Sequence, residues 1–207
     1  LPAMDDDDFR RGRPTLHKHT SEAMAILAGD GMLTFAFDAL VKHIQPSDLA
    51  AMLVRELAEG TTGMIAGQVY DTLAGFPHGL TDHHKIVLIH NNKTGALLRA
   101  TARMGALAGH ASPDALHAIT AYAEAIGLMF QIVDDLLDVL GTTESTGKRT
   151  GKDLEKGKLT YPGVLGIDGS RAEITKLELA ALNALKPLGE KARPLADLAA
   201  YMTVRTK

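Results

Sequence analysis

Apolar residues recur along most of the chain at the three- and four-residue spacing of a helix face, and polar turn-formers divide the pattern into segments. Residues 1–5 read as the last turn of a helix whose body is absent, broken by Gly12, Pro14 and their polar neighbours. A long apolar-rich segment runs from about Thr20 to His43, with Gly29 and Gly31 as close-packing or weak points. Gln45-Pro46-Ser47-Asp48 is a turn in which Ser47 can cap a helix over about 48–73. After a loop at 75–79, Thr81 or Asp82 opens a helix to about 108. Ser112-Pro113-Asp114 is a sharp start: a cap, a proline in the first turn, and an acid facing the positive helix end. That helix is expected to reach Leu140 and stop at Gly141.

Residues 142–160 are polar and loop-like, with a short helix expected at 152–156. Tyr161-Pro162 starts a short segment, and helices follow at about 170–186 and 194–204. No strand-like alternation and no repeat is visible. The expected fold is one all-α domain, residues 1–207, of long, mostly antiparallel helices.

Composition narrows the function classes. The chain has 207 residues, 45% apolar and 23% charged, which suits one soluble domain with a real core. With no cysteine, a disulfide framework, a thiolate metal site and a cysteine nucleophile are excluded. Net charge is −3 without a basic tail or aromatic–basic interleaving, so no nucleic-acid partner is expected. No uninterrupted apolar run reaches roughly 18 residues, so no membrane span is expected. No signal peptide is visible, and the expected setting is cytoplasmic.

Two acidic clusters carry the chemistry. Asp134, Asp135 and Asp138 form DDLLD within an apolar helix. Asp134 and Asp138 stack on one side, Asp135 sits about 100° round, and Gln131 lies on the same broad face. No lysine or arginine stands three or four residues away on that helix, so the charges need a partner from elsewhere. Carboxylates without histidine or cysteine favour Mg²⁺ or Mn²⁺, and Mg²⁺ shares its shell readily with phosphates. The alternative is a solvated acidic face. Asp5 to Asp8 form a second run, leading into Arg10 and Arg11, whose guanidinium forks match phosphate oxygens and point about 100° apart if the turn is helical.

Lys148 and Lys158 lie in a glycine-containing basic loop able to close over a diphosphate, or simply to face solvent. Lys93, with Thr94 beside it, interrupts a segment of small and apolar residues and should face inward or pair with an acid. The nine histidines show no clear metal spacing. Gly60 to Gly67 (GTTGMIAG) lacks the lysine of a nucleotide-binding loop and reads as a close helix contact.

Together these segments resemble the trans-isoprenyl diphosphate synthases, in particular the bacterial farnesyl or geranylgeranyl diphosphate synthase branch. The resemblance rests on LPAMDDDDFRRGRPTLH at 1–17, ILAGDGML at 26–33, GMIAGQVYD at 63–71, KTGALLRA at 93–100, FQIVDDLLDVLG at 130–141 and GKRTGKDLEKGKLTYP at 147–162. It implies an isoprenoid-synthase-like bundle around a central cavity, usually a homodimer, and a Mg²⁺-dependent prenyltransferase. Such an enzyme joins dimethylallyl, geranyl or farnesyl diphosphate to isopentenyl diphosphate, with three Mg²⁺ ions (Mn²⁺ being possible) between the diphosphate and two aspartate motifs.

By resemblance, Asp5 is the last aspartate of the first motif, whose earlier members would precede Leu1, so an N-terminal portion is expected to be missing. Asp134, Asp135 and Asp138 match the second motif as metal ligands. Arg10 matches an allylic diphosphate ligand and Arg11 an isopentenyl diphosphate ligand. Lys93, Lys148 and Lys158 match lysines around the allylic diphosphate, and Thr94 and Gln131 match polar residues beside the developing carbocation. Gln68 and Asp71 correspond to a GQxxD segment near the cavity, with Ala66 in place of a common glycine. Arg205 and Lys207 resemble a basic tail. A class I terpene cyclase and a non-catalytic subunit of a heteromeric synthase are the alternatives.

Overall fold

The computed structural model describes residues 1–4, 6–140 and 158–205 and falls into two compact units, Leu1–Val54 and Arg55–Lys207. Asp5, Lys148, Lys207, the stop expected at Gly141 and the helix expected at 152–156 lie outside the described residues.

The first unit opens with a turn closed by Met4 N–H on the Leu1 carbonyl. A two-stranded antiparallel hairpin follows, β1 (Phe9–Arg10) and β2 (Arg13–Pro14), where the sequence showed no strand. Arg11 and Gly12 join the strands with φ of 51° and 72°. A two-residue turn with both φ positive matches the twist of the flanking strands, and glycine suits its second position. Helix α1 (Leu16–His19) and helix α2 (Glu22–His43) complete the unit, with the Ser21 hydroxyl capping α2 through Met24 N–H. No residue of α2 is buried. Gly29 and Gly31 face open space rather than a packed neighbour.

Helix α3 (Ser47–Leu73) contains the boundary between the units. In the second unit, α4 (Asp82–His90) runs into a π-helical turn, Asn91–Gly95, and then α5 (Ala96–Ala108). One continuous helix to 108 was expected; the structure interrupts it at Lys93. Helix α6 (Pro113–Leu140) forms the centre, covered by α4, α5, α7 (Tyr161–Leu185) and α8 (Arg193–Val204). Within α7 the short segment expected from Tyr161 is separated from the longer helix by a kink at Gly166, where φ is 73° and ψ 170°. A 3₁₀ turn, Lys186–Ala192, links it to α8. The architecture is all-α, as the sequence indicated.

The core lies along α6, where Met129 and Ile132 are fully buried against Ile86, Tyr161 and Ile174. Each such side chain contributes roughly 1.5–3 kcal/mol of burial. Beside it, Arg103 of α5 donates two hydrogen bonds to the buried Glu56 of α3, at 2.7 and 2.6 Å, and one to the Thr120 hydroxyl at 2.7 Å. By length and composition alone helices α2 and α6 are each long and apolar enough to cross a membrane, although neither is an uninterrupted apolar run. The stretch in α6 is half buried within the core, as a core helix of a soluble protein is.

Candidate functional site

Three glycines shape the second unit's site. A Cβ at Gly60 would lie 2.6 Å from the Ala100 Cβ, and one at Gly63 2.6 Å from the Ala96 Cβ. At Gly67 it would meet the backbone of the π turn, 2.5 Å from Lys93 Cα and 2.6 Å from the Asn92 carbonyl carbon. The GTTGMIAG stripe is thus a helix contact surface, not a phosphate cradle. On the far side, a Cβ at Gly127 of α6 would lie 2.9 Å from Gly95 Cα. Glycine lets backbones approach this closely. The π turn, a form that concentrates at functional sites, is therefore held between α3 and α6.

This packing aims Lys93 at Asp71. The ammonium donates to Asp71 Oδ2 at 2.7 Å, and Lys158 reaches the same oxygen at 3.4 Å. Burial raises the Asp71 carboxyl, but the hydrogen bond and charge of Lys93, with Lys158 behind, outweigh it and hold the group below its ordinary 3.8. Two cations 65 residues apart in the chain (158 minus 93) converge on one half-buried acid. Thr94 is half-buried in the same turn.

The aspartates of α6 divide. The Asp134 side chain is 54% exposed, whereas that of Asp135 is 10% exposed. Asp138 and Gln131 are half-buried. The cation that α6 lacks comes from the chain's end. Arg205 donates to Asp134 Oδ1 and to the Phe130 carbonyl, each at 3.2 Å, and its guanidinium lies 3.9 Å over the Phe130 ring. Asp135 turns inward, where its Oδ2 accepts the Tyr161 backbone N–H at 2.8 Å and faces His90 Nε2 at 3.0 Å. His90 is buried and stacks on Tyr161, with ring centroids 5.6 Å apart.

The residues present suit a hard divalent cation. Asp134 and Asp138 offer oxygen ligands one helical turn apart, and Asp134 already holds a positive group in Arg205. A hard divalent cation held there would supply Lewis-acid charge neutralisation.

In the first unit, the turn carrying Arg10 and Arg11 is a hairpin and not a helical turn, so the 100° separation conditional on a helix does not apply. Arg11 occupies the tip, while Arg10 faces Arg13 directly across the strands. Like charges so placed destabilise a ladder unless an anion sits between them. Arg13 therefore joins the candidate phosphate ligands. No local spacing marks Arg13, because only strand pairing brings it beside Arg10. Thr15 closes the hairpin base, its hydroxyl donating to the Asp7 carbonyl at 2.9 Å and its N–H to the Asp8 carbonyl at 2.9 Å. Asp8 pairs with Lys18 at 3.0 Å. Asp6, Asp8 and His17 bring ligand atoms within 4.8 Å of one another.

The polyprenyl synthetase family profile matches residues 3–195. A dimethylallyltranstransferase of Fischerella ambigua (strain UTEX 1903) is 43% identical, covering all of this chain and 60% of the relative. The farnesyl diphosphate synthase of Escherichia coli K12 is 45% identical, covering all of this chain and 72% of the relative. Among solved structures, an FPP/GFPP synthase from Zymomonas mobilis superposes with a TM-score of 0.84 at 33% identity, covering 98% of this chain and 69% of the other. A Helicobacter pylori geranyltransferase complexed with magnesium and isoprenyl diphosphate superposes at 0.80 with 29% identity, covering 99% and 67%. The chain spans about 60% of the length of the first of these curated relatives.

Proposed function

The chain belongs to the polyprenyl synthetase family, and from that premise we propose that the whole protein is a Mg²⁺-dependent prenyltransferase. It would condense an allylic diphosphate with isopentenyl diphosphate to a farnesyl- or geranylgeranyl-type product. The observation that carries the reading is the convergence of Lys93 and Lys158 on Asp71, in the unit whose α6 presents Asp134 and Asp138.

Lys93 and Lys158, with Lys148, receive the allylic diphosphate as fixed positive charge. Arg10 adds a guanidinium to it, while Arg11 holds isopentenyl diphosphate. Asp134, Asp138 and Asp5 would hold Mg²⁺, which when bound would supply Lewis-acid neutralisation of the leaving diphosphate. Thr94 and Gln131 turn oxygen toward the allylic carbon as positive charge grows there. The carbon–oxygen bond to diphosphate breaks, the double bond of isopentenyl diphosphate forms the new carbon–carbon bond, and a proton leaves to the released diphosphate. An apolar cavity keeps water from the cation. A homodimer and a cytoplasmic setting complete the proposal. The exposed apolar face of α2 gives a second copy a surface to cover.

Incubating the full-length protein with dimethylallyl and isopentenyl diphosphates tests this directly. Mg²⁺-dependent chain extension is expected. A cyclic hydrocarbon without extension, or no product at all, would sink the proposal in favour of a cyclase or a non-catalytic subunit.

A further inference from the structure

Asp134 and Asp135 are chain neighbours in opposite surroundings. Mg²⁺ sheds its water reluctantly and usually keeps several water ligands. The Asp135 side chain has a tenth of its surface in solvent, and its Oδ2 already serves two buried donors. The other ring nitrogen of His90, Nδ1, is buried without a partner, so Asp135 is the polar contact that its ring makes. The two donors have telling addresses. His90 ends α4, three residues before Lys93, and Tyr161 begins α7, three residues after Lys158. A single oxygen therefore ties together both segments that deliver a lysine to Asp71.

We propose that Asp135 is a positioning residue and not a metal ligand. Its carboxylate fixes the ends of α4 and α7, and thereby where Lys93 and Lys158 meet a diphosphate, while Asp134 and Asp138 face the metal. The inference rests on the proposed function for the identity of the anion. It divides the DDLLD cluster, which the sequence assigns to metal as a whole. Removing the anchor leaves two buried donors unpaired and lets each lysine-bearing segment move independently.

Three variants of the full-length protein decide the matter. Mn²⁺ binding is measured by electron paramagnetic resonance with inorganic diphosphate present, diphosphate affinity at saturating Mn²⁺, and hydrogen–deuterium exchange across residues 158–164 without ligand. Asp134→Asn should weaken Mn²⁺ binding by about tenfold or more and leave exchange unchanged, as expected for a lost ligand. Asp135→Asn keeps an oxygen able to accept both donors, so Mn²⁺ and diphosphate affinities should stay within about twofold of wild type. Asp135→Leu should speed exchange at the start of α7 and weaken diphosphate by about tenfold.

Loss of Mn²⁺ in Asp135→Asn equal to that in Asp134→Asn overturns the proposal, as does unchanged exchange in Asp135→Leu. If the leucine variant does not fold, the asparagine variant's two affinities still decide. A wild-type protein that binds no Mn²⁺ with diphosphate would instead sink the proposed function. The exchange measurement needs no ligand and tests the anchor separately.

Discussion

Gly67→Ala is expected to destabilise the protein despite placing a better helix former in α3. The new Cβ would meet Lys93 Cα at 2.5 Å and the Asn92 carbonyl carbon at 2.6 Å, where carbon atoms pack best at about 3.5–4 Å. Both obstacles are backbone, and the π turn cannot retreat because Gly127 lies against Gly95 behind it. Relief requires α3 to move out by about 1 Å, and gaps of that size forfeit a quarter to a half of the dispersion energy along the contact. Overpacking typically costs about 1–3 kcal/mol, and exchanging glycine for alanine in a helix returns about 1 kcal/mol. With the obstruction at the severe end, we expect a net loss of about 1–3 kcal/mol. Gly105→Ala is the control: it lies exposed in α5 with nothing within 4 Å of its added Cβ. Only the propensity gain operates there, a stabilisation of about 0.5–1 kcal/mol. Urea unfolding of both variants, compared through midpoints at equal slope, gives the answer. A Gly67→Ala protein as stable as wild type would refute the close-approach argument.

Glu56→Ala should cost about 3–5 kcal/mol because it strands the Arg103 guanidinium, and replacing both partners by apolar residues should recover most of that loss. The hydrogen bond from Arg103 outweighs burial and holds Glu56 below its ordinary 4.5, so this stabilisation is complete above that pH and is lost as pH falls through the depressed value. Glu56→Gln should therefore flatten the acid limb of a stability–pH profile, and an unchanged limb would count against the pair. Asp71→Asn removes the charge that gathers two ammoniums, so inorganic diphosphate should bind about tenfold more weakly, or 1.4 kcal/mol. Tighter binding would mean that Asp71 merely competes with the anion. Arg205→Ala frees Asp134 from its guanidinium, so Mn²⁺ should bind the ligand-free protein about two- to tenfold more tightly by titration. Weaker binding would assign Arg205 a supporting role at the metal.

Much of the helical frame was legible because long apolar faces with clear start signals dictate it. Ser112-Pro113-Asp114 marks the start of α6 within a residue, and the absence of a basic residue three or four positions from Asp134 is met by Arg205 from elsewhere in the chain. What could not be read depends on contacts distant in the chain. The burial of Asp135 follows from where His90 and Tyr161 arrive, and no local spacing encodes that. Arg10 and Arg13 look like members of one basic run until the Arg11-Gly12 turn pairs them across two strands. The short segment from Tyr161 is legible from its Tyr-Pro start, whereas the kink at Gly166 that separates it from the following helix has no local signal beyond a lone glycine.

The π turn at Asn91–Gly95 acts as a phase shifter. Each residue of a regular helix advances the direction of its side chains by about 100°, and a π turn accommodates one residue more than an α turn would. Deleting one residue of this turn on the C-terminal side of Lys93 would let α4 and α5 merge into a single uniform helix. The chemistry of the flanking segments would be unchanged, yet Lys93 would be swung by more than a quarter-turn relative to the helix that follows. The meeting of two lysines at Asp71 is thus encoded in the length of this segment as well as in its composition, and a frame-preserving loss of one codon would disperse it.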